Sequence, residues 1–172
     1  MKKTKMIIAL LLTLVSMVPV NVSASSNDFE NRLVDISKQS KDAVLSVDMT
    51  EANVKETRMG SITAGKTQVM AISVSNLREN QYINTFGDKK LPAKNQEYWV
   101  TCTAQKSGTE AKVGLVYYNY KGELKLESSC TLYGYDSYGR IYSNAVYENF
   151  GYVENIGTGK LEAAYVILKE KE

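Results

Sequence analysis

The clearest structural signal in the chain comes from residues 110–144, EAKVGLVYYNYKGELKLESSCTLYGYDSYGRIYSN. Val, Leu, Thr and Tyr alternate there with polar residues, which is the pattern of half-buried β-strands. The alternation breaks twice, at Asn119-Tyr120-Lys121-Gly122 and at Asp136-Ser137-Tyr138-Gly139. Each break has Asn or Asp first and Gly fourth, as a type I turn prefers. The stretch therefore predicts two successive β-hairpins.

The two turns also predict which side chains share a face. Pairing across the ends of the first turn puts Leu115 opposite Leu126, so that one face collects apolar residues. Pairing across the second turn puts Tyr133 opposite Tyr142 in the same sheet. A bulge after either turn would shift the pairing by one residue. The other face then carries a polar and aromatic group, namely Tyr118, Tyr133, Tyr135, Arg140, Tyr142 and Asn144.

The same alternation extends on both sides of this stretch. The predicted strands are 43–49, 67–74, 81–86, 97–104, 111–118, 123–133, 140–148 and 161–168, with a weaker one near 152–155. Short strands separated by turns at close spacing are typical of an all-β domain. We therefore predict an antiparallel β-sandwich of about eight strands, with a barrel as the alternative. Residues 87–95 are predicted to form the longest exposed loop.

Residues 1–24 have the organisation of a secretory signal peptide. A basic head of three lysines precedes an apolar run from Met6 to Val18, and the segment ends in the small residues Val22-Ser23-Ala24. This pattern predicts export and cleavage. No cysteine stands at the cleavage site to carry a lipid, so we expect a protein that is secreted or held at the cell surface without a covalent anchor.

The remaining chain divides into two parts. The segment 25–42 is polar, with Phe29, Leu33 and Ile36 at helix spacing, which predicts a short amphipathic helix. A flexible leader is the alternative for this segment. Residues 43–172 have the length of a single β domain with one hydrophobic core.

The charge of the exported part argues against two classes of partner. Lys2, Lys3 and Lys5 are three of the 21 Lys and Arg, and 19 Asp and Glu oppose the rest, so residues 25–172 have a net charge of about −1. Such a chain lacks the basic surface that nucleic-acid binding requires. No apolar stretch after Ala24 approaches the roughly 20 residues needed to cross a bilayer. We expect no nucleic-acid partner and no membrane insertion of the mature chain.

The chain has two cysteines, Cys102 and Cys130. In a secreted protein such a pair most often forms a disulfide, and we predict that bridge. A disulfide needs Cα atoms within about 6.8 Å, whereas strands two apart in one sheet are separated by about 9.6 Å. The bridge therefore requires that strand 97–104 does not lie beside strand 111–118 in the same sheet, which favours two packed sheets.

The chain has no histidine, which excludes Ser-His-Asp triads, Cys-His pairs and His metal ligands. No stretch resembles the dense Asp/Asn loop that binds calcium, and the sequence predicts no metal site and no cofactor. Two carboxylates about 5–9.5 Å apart could still hydrolyse a glycosidic bond. Asp136, Glu148 and Glu154 are the candidates for such a pair. A small secreted carboxylate-dependent hydrolase is therefore one alternative function.

Tyrosine is concentrated in one part of the chain, because nine of the 12 Tyr fall between Tyr117 and Tyr152. A tyrosine combines a large apolar face with a hydroxyl, which suits a binding surface, although Tyr pairs also stabilise sheets without any ligand. We predict that the tyrosine-bearing face binds a glycan or a cell-surface protein and does no chemistry. Trp99 has the opposite parity to Val100 and Cys102, so it is either a second exposed anchor or a core residue of a strand buried on both sides.

A third hypothesis belongs to another class of protein. A secreted protein can modulate a protein partner through an unpaired strand edge, and strand 161–168 is the candidate edge. The three hypotheses predict different surfaces, namely an exposed tyrosine patch, a carboxylate-lined cleft and an open sheet edge.

Overall fold

The computed structural model describes residues 32–53, 62–87, 89–103, 108–134 and 137–172. Within these ranges the chain forms twelve β-strands and one 3₁₀ helix, Ile36–Lys38. The strands are β1 (Arg32–Leu33), β2 (Val44–Asp48), β3 (Ala52–Asn53), β4 (Lys66–Leu77), β5 (Tyr82–Asn84), β6 (Lys90–Leu91), β7 (Gln96–Cys102), β8 (Glu110–Tyr118), β9 (Leu124–Tyr133), β10 (Tyr138–Ser143), β11 (Asn149–Asn155) and β12 (Leu161–Glu170).

The strands form two antiparallel sheets. Sheet I has the order β1-β9-β8-β11-β5, and β6 also pairs with β11. Sheet II has the order β10-β7-β12-β4-β2, and β3 also pairs with β4. The two sheets are open and packed face to face, so the fold is a β-sandwich and not a closed barrel. The predicted fold class is confirmed.

The hydrophobic core lies between the two sheets. Alternate residues of each strand point inward, and these are the Val, Ile and Leu positions of the sequence pattern. The inward side chains that are at most 1% exposed include Val113, Leu115 and Val153 of sheet I and Ile72, Val100 and Ile167 of sheet II. Burying each of them contributes about 1.5–3 kcal/mol to stability. The outer faces of the two sheets are therefore the surfaces available for binding.

The predicted strands are present, most of them with small changes at their ends, but predicted strand 140–148 is β10, which ends at Ser143. The weakest prediction, near 152–155, is β11, which lies inside sheet I between β8 and β5. Strand 161–168 is β12, and it lies in the middle of sheet II between β7 and β4. The prediction that this strand offers an open edge is therefore wrong. Part of the predicted loop 87–95 is ordered as β6, where Leu91 is buried.

The first predicted hairpin forms, but its turn is one residue longer. The Asn119 amide donates to the Glu123 carbonyl at 3.0 Å, and the Gly122 amide donates to the Asn119 carbonyl at 2.9 Å. Gly122 has φ of +76°, which places it in the left-handed region that a three-residue hairpin loop requires. A bulge follows between Leu115 and Val116. Leu115 consequently lies opposite Ser128 instead of Leu126.

The second predicted hairpin does not form. After β9 the chain passes from sheet I to sheet II, and β10 pairs with β7 instead of β9, with Tyr138 opposite Thr101. Gly134, with φ of +64°, turns the chain out of β9. The prediction that Tyr133 and Tyr142 share one sheet face is therefore wrong.

The described part of the N-terminal segment contains no α-helix. It forms β1 and the 3₁₀ helix, whose first residue follows the Asp35 cap. The Val34 amide donates to the Leu124 carbonyl at 2.9 Å, which holds this segment against sheet I. Phe29 lies outside the described residues. No helix within the described ranges has the length and apolar character needed to span a membrane.

The two cysteines lie in different sheets, as the predicted disulfide requires. Cys102 is on β7 beside Tyr165, and Cys130 is on β9. β7 is not a neighbour of β8, so the strand arrangement agrees with the requirement. The structure nevertheless has both residues as thiols, and the predicted bridge is not formed in it.

Candidate functional site

The structure divides the predicted binding face between the two sheets. Tyr118 and Tyr133 lie at opposite ends of sheet I, opposite Leu124 and Glu110 respectively. Arg140 and Tyr142 lie on β10 in sheet II. The remaining members are Asn144, which follows β10, and Tyr135, which is outside the described residues. The six residues therefore do not form one patch.

The outer face of sheet II brings Arg140 and Tyr142 together with Trp99. Trp99 and Arg140 are cross-strand partners, and the Arg140 Cζ lies 4.2 Å from the centroid of the Trp99 ring. The Tyr138 ring stacks beside the indole, with centroids 5.8 Å apart and planes at 29°. The sequence left two environments open for Trp99, and this arrangement makes it an outward-facing residue.

Polar contacts also hold the Trp99 ring on the side of β12, which is the other neighbour of β7 in sheet II. The indole Nε1 donates to the Glu170 Oε1 at 3.1 Å, and Lys66 Nζ forms an ion pair with the same oxygen at 3.2 Å. Lys66 Nζ also lies 4.6 Å from the ring centroid. The side chain of Lys66 is only 8% exposed, so this cation and the ring order each other.

We call this surface the Trp99 platform. Its rings and central cation are Trp99, Tyr138, Tyr142 and Arg140, and its polar rim is Glu97, Lys66 and Glu170. Arg140 Nε lies 3.4 Å from Glu97 Oε1, and Tyr142 lies opposite Glu97 in the strand register. Tyr138 is 51% exposed. The platform therefore offers aromatic faces next to groups that donate and accept hydrogen bonds.

A buried carboxylate positions β10 over sheet I. Glu127 is 1% exposed, and its Oε1 accepts a hydrogen bond from the Asn144 amide at 3.0 Å. Burial raises the pKa of Glu127, and the Asn144 hydrogen bond opposes that shift. The neighbouring Ser128 Oγ accepts from the Tyr142 amide at 3.0 Å. Asn144 therefore contributes through its backbone amide. The two hydrogen bonds fix the position of β10, which carries Arg140 and Tyr142.

A cleft of about 190 Å³ lies on the outer face of sheet I. Its floor is formed by Tyr82, Tyr152 and Leu126, and its wall by the N-terminal segment that includes Val34. The Tyr82 and Tyr152 rings contact each other with centroids 5.2 Å apart. We call it the sheet I cleft, and its charged lining residues are Arg32, Asp35, Lys38, Lys112 and Glu154.

The polar groups of the sheet I cleft differ in their hydrogen bonding. The Tyr152 hydroxyl donates to Glu154 Oε2 at 2.9 Å, and Lys112 Nζ lies 3.4 Å from the same oxygen. The Tyr82 hydroxyl is buried and has no hydrogen-bond partner among the residues that the structure describes. Burial raises the pKa of Tyr82 to about 12, with smaller contributions from Tyr118 and Asp35. Burial likewise raises the pKa of Tyr152, and Glu154 adds to that shift.

The carboxylates considered for hydrolysis are not gathered in this cleft. Glu154 lines it, whereas Glu148 lies 2.6 Å from Lys90 Nζ in an ion pair. Lys90 lines a separate cavity of about 200 Å³ at one end of the sandwich. Asp136 is outside the described residues.

Sequence reasoning missed the partners that complete both surfaces. The Trp99–Arg140 contact depends on β7 pairing with β10, which are separated along the chain by two strands of the other sheet. The opposite parity of Trp99 relative to its core neighbours was the one signal that could have suggested the platform. No sequence signal distinguished Tyr82 from other strand tyrosines, because its surroundings combine Tyr152 of β11 with the N-terminal segment.

Comparison with known proteins gives limited information. No protein-family model matches the chain, and no curated protein matches it. Two solved structures are similar to it. One contains the CBM22-1 and GH10 modules of the Clostridium thermocellum endo-1,4-β-D-xylanase 10B complexed with xylohexaose, with a TM-score of 0.40 and 13% identity over 84% of this chain and 28% of that one.

The other structure belongs to carbohydrate-binding modules of the β-sandwich superfamily. Its TM-score is 0.31 and its identity 7%, over 83% of this chain and 60% of that one. The chain thus spans less than two thirds of either protein. Likeness at this level assigns neither a family nor a function.

Proposed function

We propose that this chain is a secreted, non-catalytic binding protein whose Trp99 platform binds a glycan. The observation that supports the proposal best is the Trp99 ring itself, which faces outward beside Tyr138 at 5.8 Å and Arg140 at 4.2 Å. Three of the surrounding groups, Arg140, Glu97 and Glu170, are charged. Tyr138, which is 51% exposed, offers an aromatic face beside these charged groups, and such a face matches what one side of a sugar ring presents.

A sugar ring has two kinds of surface. The C–H bonds on one face of a pyranose ring are weakly positive and pack against the negative face of an aromatic ring. The ring hydroxyls point sideways, where Arg140 can donate and Glu97 can accept hydrogen bonds. The exposed Tyr138 ring also loses little conformational entropy on binding, because a tyrosine has only two side-chain torsions.

The order of the platform before binding also supports this proposal. Trp99 is held by Glu170, Lys66 and Arg140, so its ring does not need to be immobilised by the ligand. Pre-ordering reduces the entropy lost on association and therefore strengthens binding. A surface protein is the other partner that rings and arginine would suit.

The proposed location follows from residues 1–24. We propose that the chain is exported, and that it is then released or stays at the cell surface. A protein in that location meets polysaccharides of cell walls and of the surroundings.

The experiment is a binding screen on immobilised glycans and purified cell-wall polysaccharides with the purified protein. Trp99→Ala and Tyr138→Ala are the test variants. Tyr120→Ala is the matched control, because Tyr120 is 84% exposed but lies in the turn of the first hairpin, away from the platform. We expect saturable binding that Trp99→Ala reduces at least tenfold and that Tyr120→Ala leaves unchanged.

Two outcomes would contradict the proposal. One is the absence of glycan binding by the unmodified protein together with capture of a protein in a surface-protein pull-down. The other is equal loss of binding in Trp99→Ala and Tyr120→Ala. Thermal midpoints of all variants must be measured, so that unfolding is not mistaken for loss of a site.

A further inference from the structure

The Tyr82 hydroxyl is an unusual group that the Trp99 platform does not explain. The residue is 1% exposed, and within the described ranges its hydroxyl oxygen has no hydrogen-bond partner. A buried polar group without a partner costs about 1–3 kcal/mol. The residue lines the sheet I cleft, where a bound molecule could supply the missing partner.

The other floor residues show what kind of partner fits. Glu154 uses Oε2 for both the Tyr152 hydroxyl and Lys112, which leaves Oε1 to accept from a ligand hydroxyl. Tyr82 can donate to or accept from a second hydroxyl. Leu126 and the two tyrosine rings provide an apolar floor between these groups. A small ring that carries hydroxyls on its edge satisfies this arrangement.

The volume of the cleft limits the ligand to one ring. Pockets for drug-sized molecules have volumes of about 300–1,000 Å³. The sheet I cleft has about 190 Å³, which is too little for an extended chain. A single sugar residue, or the end residue of a chain, is the appropriate size.

The charges at the mouth favour an anionic ligand. Asp35 Oδ1 is occupied by the amide and hydroxyl of Ser37, at 3.0 and 2.7 Å. These hydrogen bonds lower the pKa of Asp35, and the charge of Lys38 adds to that shift. The lining therefore has the three cations Arg32, Lys38 and Lys112 against the two carboxylates Asp35 and Glu154, which leaves a net charge of +1 at the cleft.

We infer that the sheet I cleft is a second binding site, which takes one sugar residue carrying a carboxylate. Arg32 and Lys38 bind the carboxylate, and Tyr82 and Glu154 bind ring hydroxyls. The site lies on the opposite face of the sandwich from the Trp99 platform. It does not depend on the glycan proposed for the platform.

The test is an NMR titration of the purified protein with glucuronate, with glucose and acetate as separate comparison ligands. We expect glucuronate to shift the amide resonances of Tyr82, Tyr152 and Glu154 saturably. Glucose lacks the carboxylate and acetate lacks the ring, so each should bind at least tenfold more weakly. Absence of saturable shifts with glucuronate would overturn the inference, as would equal binding of glucose.

Two variants separate a binding role from a structural one. Tyr82→Phe removes only the hydroxyl, so it should weaken glucuronate at least tenfold while the thermal midpoint stays the same or rises. Lys38→Gln changes an exposed side chain and should weaken glucuronate without weakening glucose. Unchanged affinity in both variants would overturn the inference.

Trp99→Ala is the control for the other surface. Glucuronate binding at the cleft should be unchanged in this variant, even if the platform has lost its ligand. Loss of glucuronate binding in Trp99→Ala would show that the sugar acid sits on the platform, and the inference would be wrong.

Discussion

Gly139 of β10 lies directly against Cys130 of β9. A Cβ added to Gly139 would stand 2.5 Å from the Cys130 Sγ and 2.6 Å from its Cβ. Real Cβ atoms do not approach other atoms so closely, and therefore only glycine allows this approach of the two sheets. Because Gly139 pairs with Val100 next to the Trp99–Arg140 pair, the contact also sets the position of the platform.

Gly139→Ala is expected to destabilise the protein by about 1–3 kcal/mol, because it overpacks a site that has no space. At this chain length that corresponds to a fall of about 2–4 °C in the thermal midpoint for each kcal/mol. The measurement is thermal unfolding followed by circular dichroism. The double variant Gly139→Ala/Cys130→Gly should be less destabilised than the sum of its single changes, since the clashing atoms are gone. Strict additivity of the two changes would contradict this account of the contact.

The two sulfurs are expected to be thiols of low reactivity. Burial raises the pKa of the Cys130 thiol to about 12, so very little thiolate is present at neutral pH. Alkylation of the folded protein should therefore be slow, and alkylation after unfolding without reductant should add two labels by mass spectrometry. No label after unfolding would show that the disulfide expected from the sequence is formed.

Glu127→Gln is expected to raise the thermal midpoint at pH 7 and to lose that advantage near pH 4. Burial raises the pKa of Glu127 above its ordinary value of 4.5, so the folded state holds this proton more tightly than the unfolded state. The stability that Glu127 contributes is thus fully present below pH 4.5 and is lost as the pH rises through the folded pKa. Glutamine cannot ionise, and its Oε1 can still accept from the Asn144 amide.

The check is a series of thermal midpoints for both proteins between pH 4 and pH 8. The difference between the variant and the unmodified protein should grow with pH. A difference that is constant across the range would mean that ionisation of Glu127 has no part in stability. Glu148→Gln is a suitable control, because Glu148 is 54% exposed.

Trp99 is the only tryptophan of the chain, so its fluorescence reports directly on the platform. Arg140→Gln removes a cation that lies over the ring, a contact worth about 0.5–1 kcal/mol at an exposed site. We expect a shift in the emission maximum and a thermal midpoint lower by a few degrees at most. Lys125→Gln is the control, because Lys125 lies on β9 in sheet I. Identical emission spectra for all three proteins would contradict the described packing around Trp99.

The strands could be predicted from the sequence because the alternation of apolar and polar residues is a local property of the chain. β8 and β9 followed from the pattern of Val113, Leu115, Leu124 and Leu126 together with the turn that joins them. The shift of one residue at Gly122 was less predictable, since the same residues can form a two-residue or a three-residue loop, and the left-handed conformation of Gly122 belongs to the longer one. Tyr135 stays a prediction, because the structure does not describe it.

The way in which the chain connects the two sheets, between β9 and β10, could not be predicted in the same way. Asp136-Ser137-Tyr138-Gly139 has the composition of a hairpin turn, yet the chain there passes between sheets. The close approach of Gly139 to Cys130 is one contact of this arrangement, and a contact between layers has no local signature in the sequence. The Trp99 platform and the sheet I cleft depend on similar long-range contacts, and both were therefore missed.

The central position of β12 in sheet II limits the order in which the protein can fold. β7 and β4 both pair with Leu161–Glu170, so neither can complete its pairing until that segment has been synthesised. Pairing across so many residues is slow, and a nascent chain that lacks the segment cannot assemble sheet II. The chain thus has a built-in delay before folding, which suits a protein that we propose is exported, since export through a narrow channel needs an unfolded polypeptide.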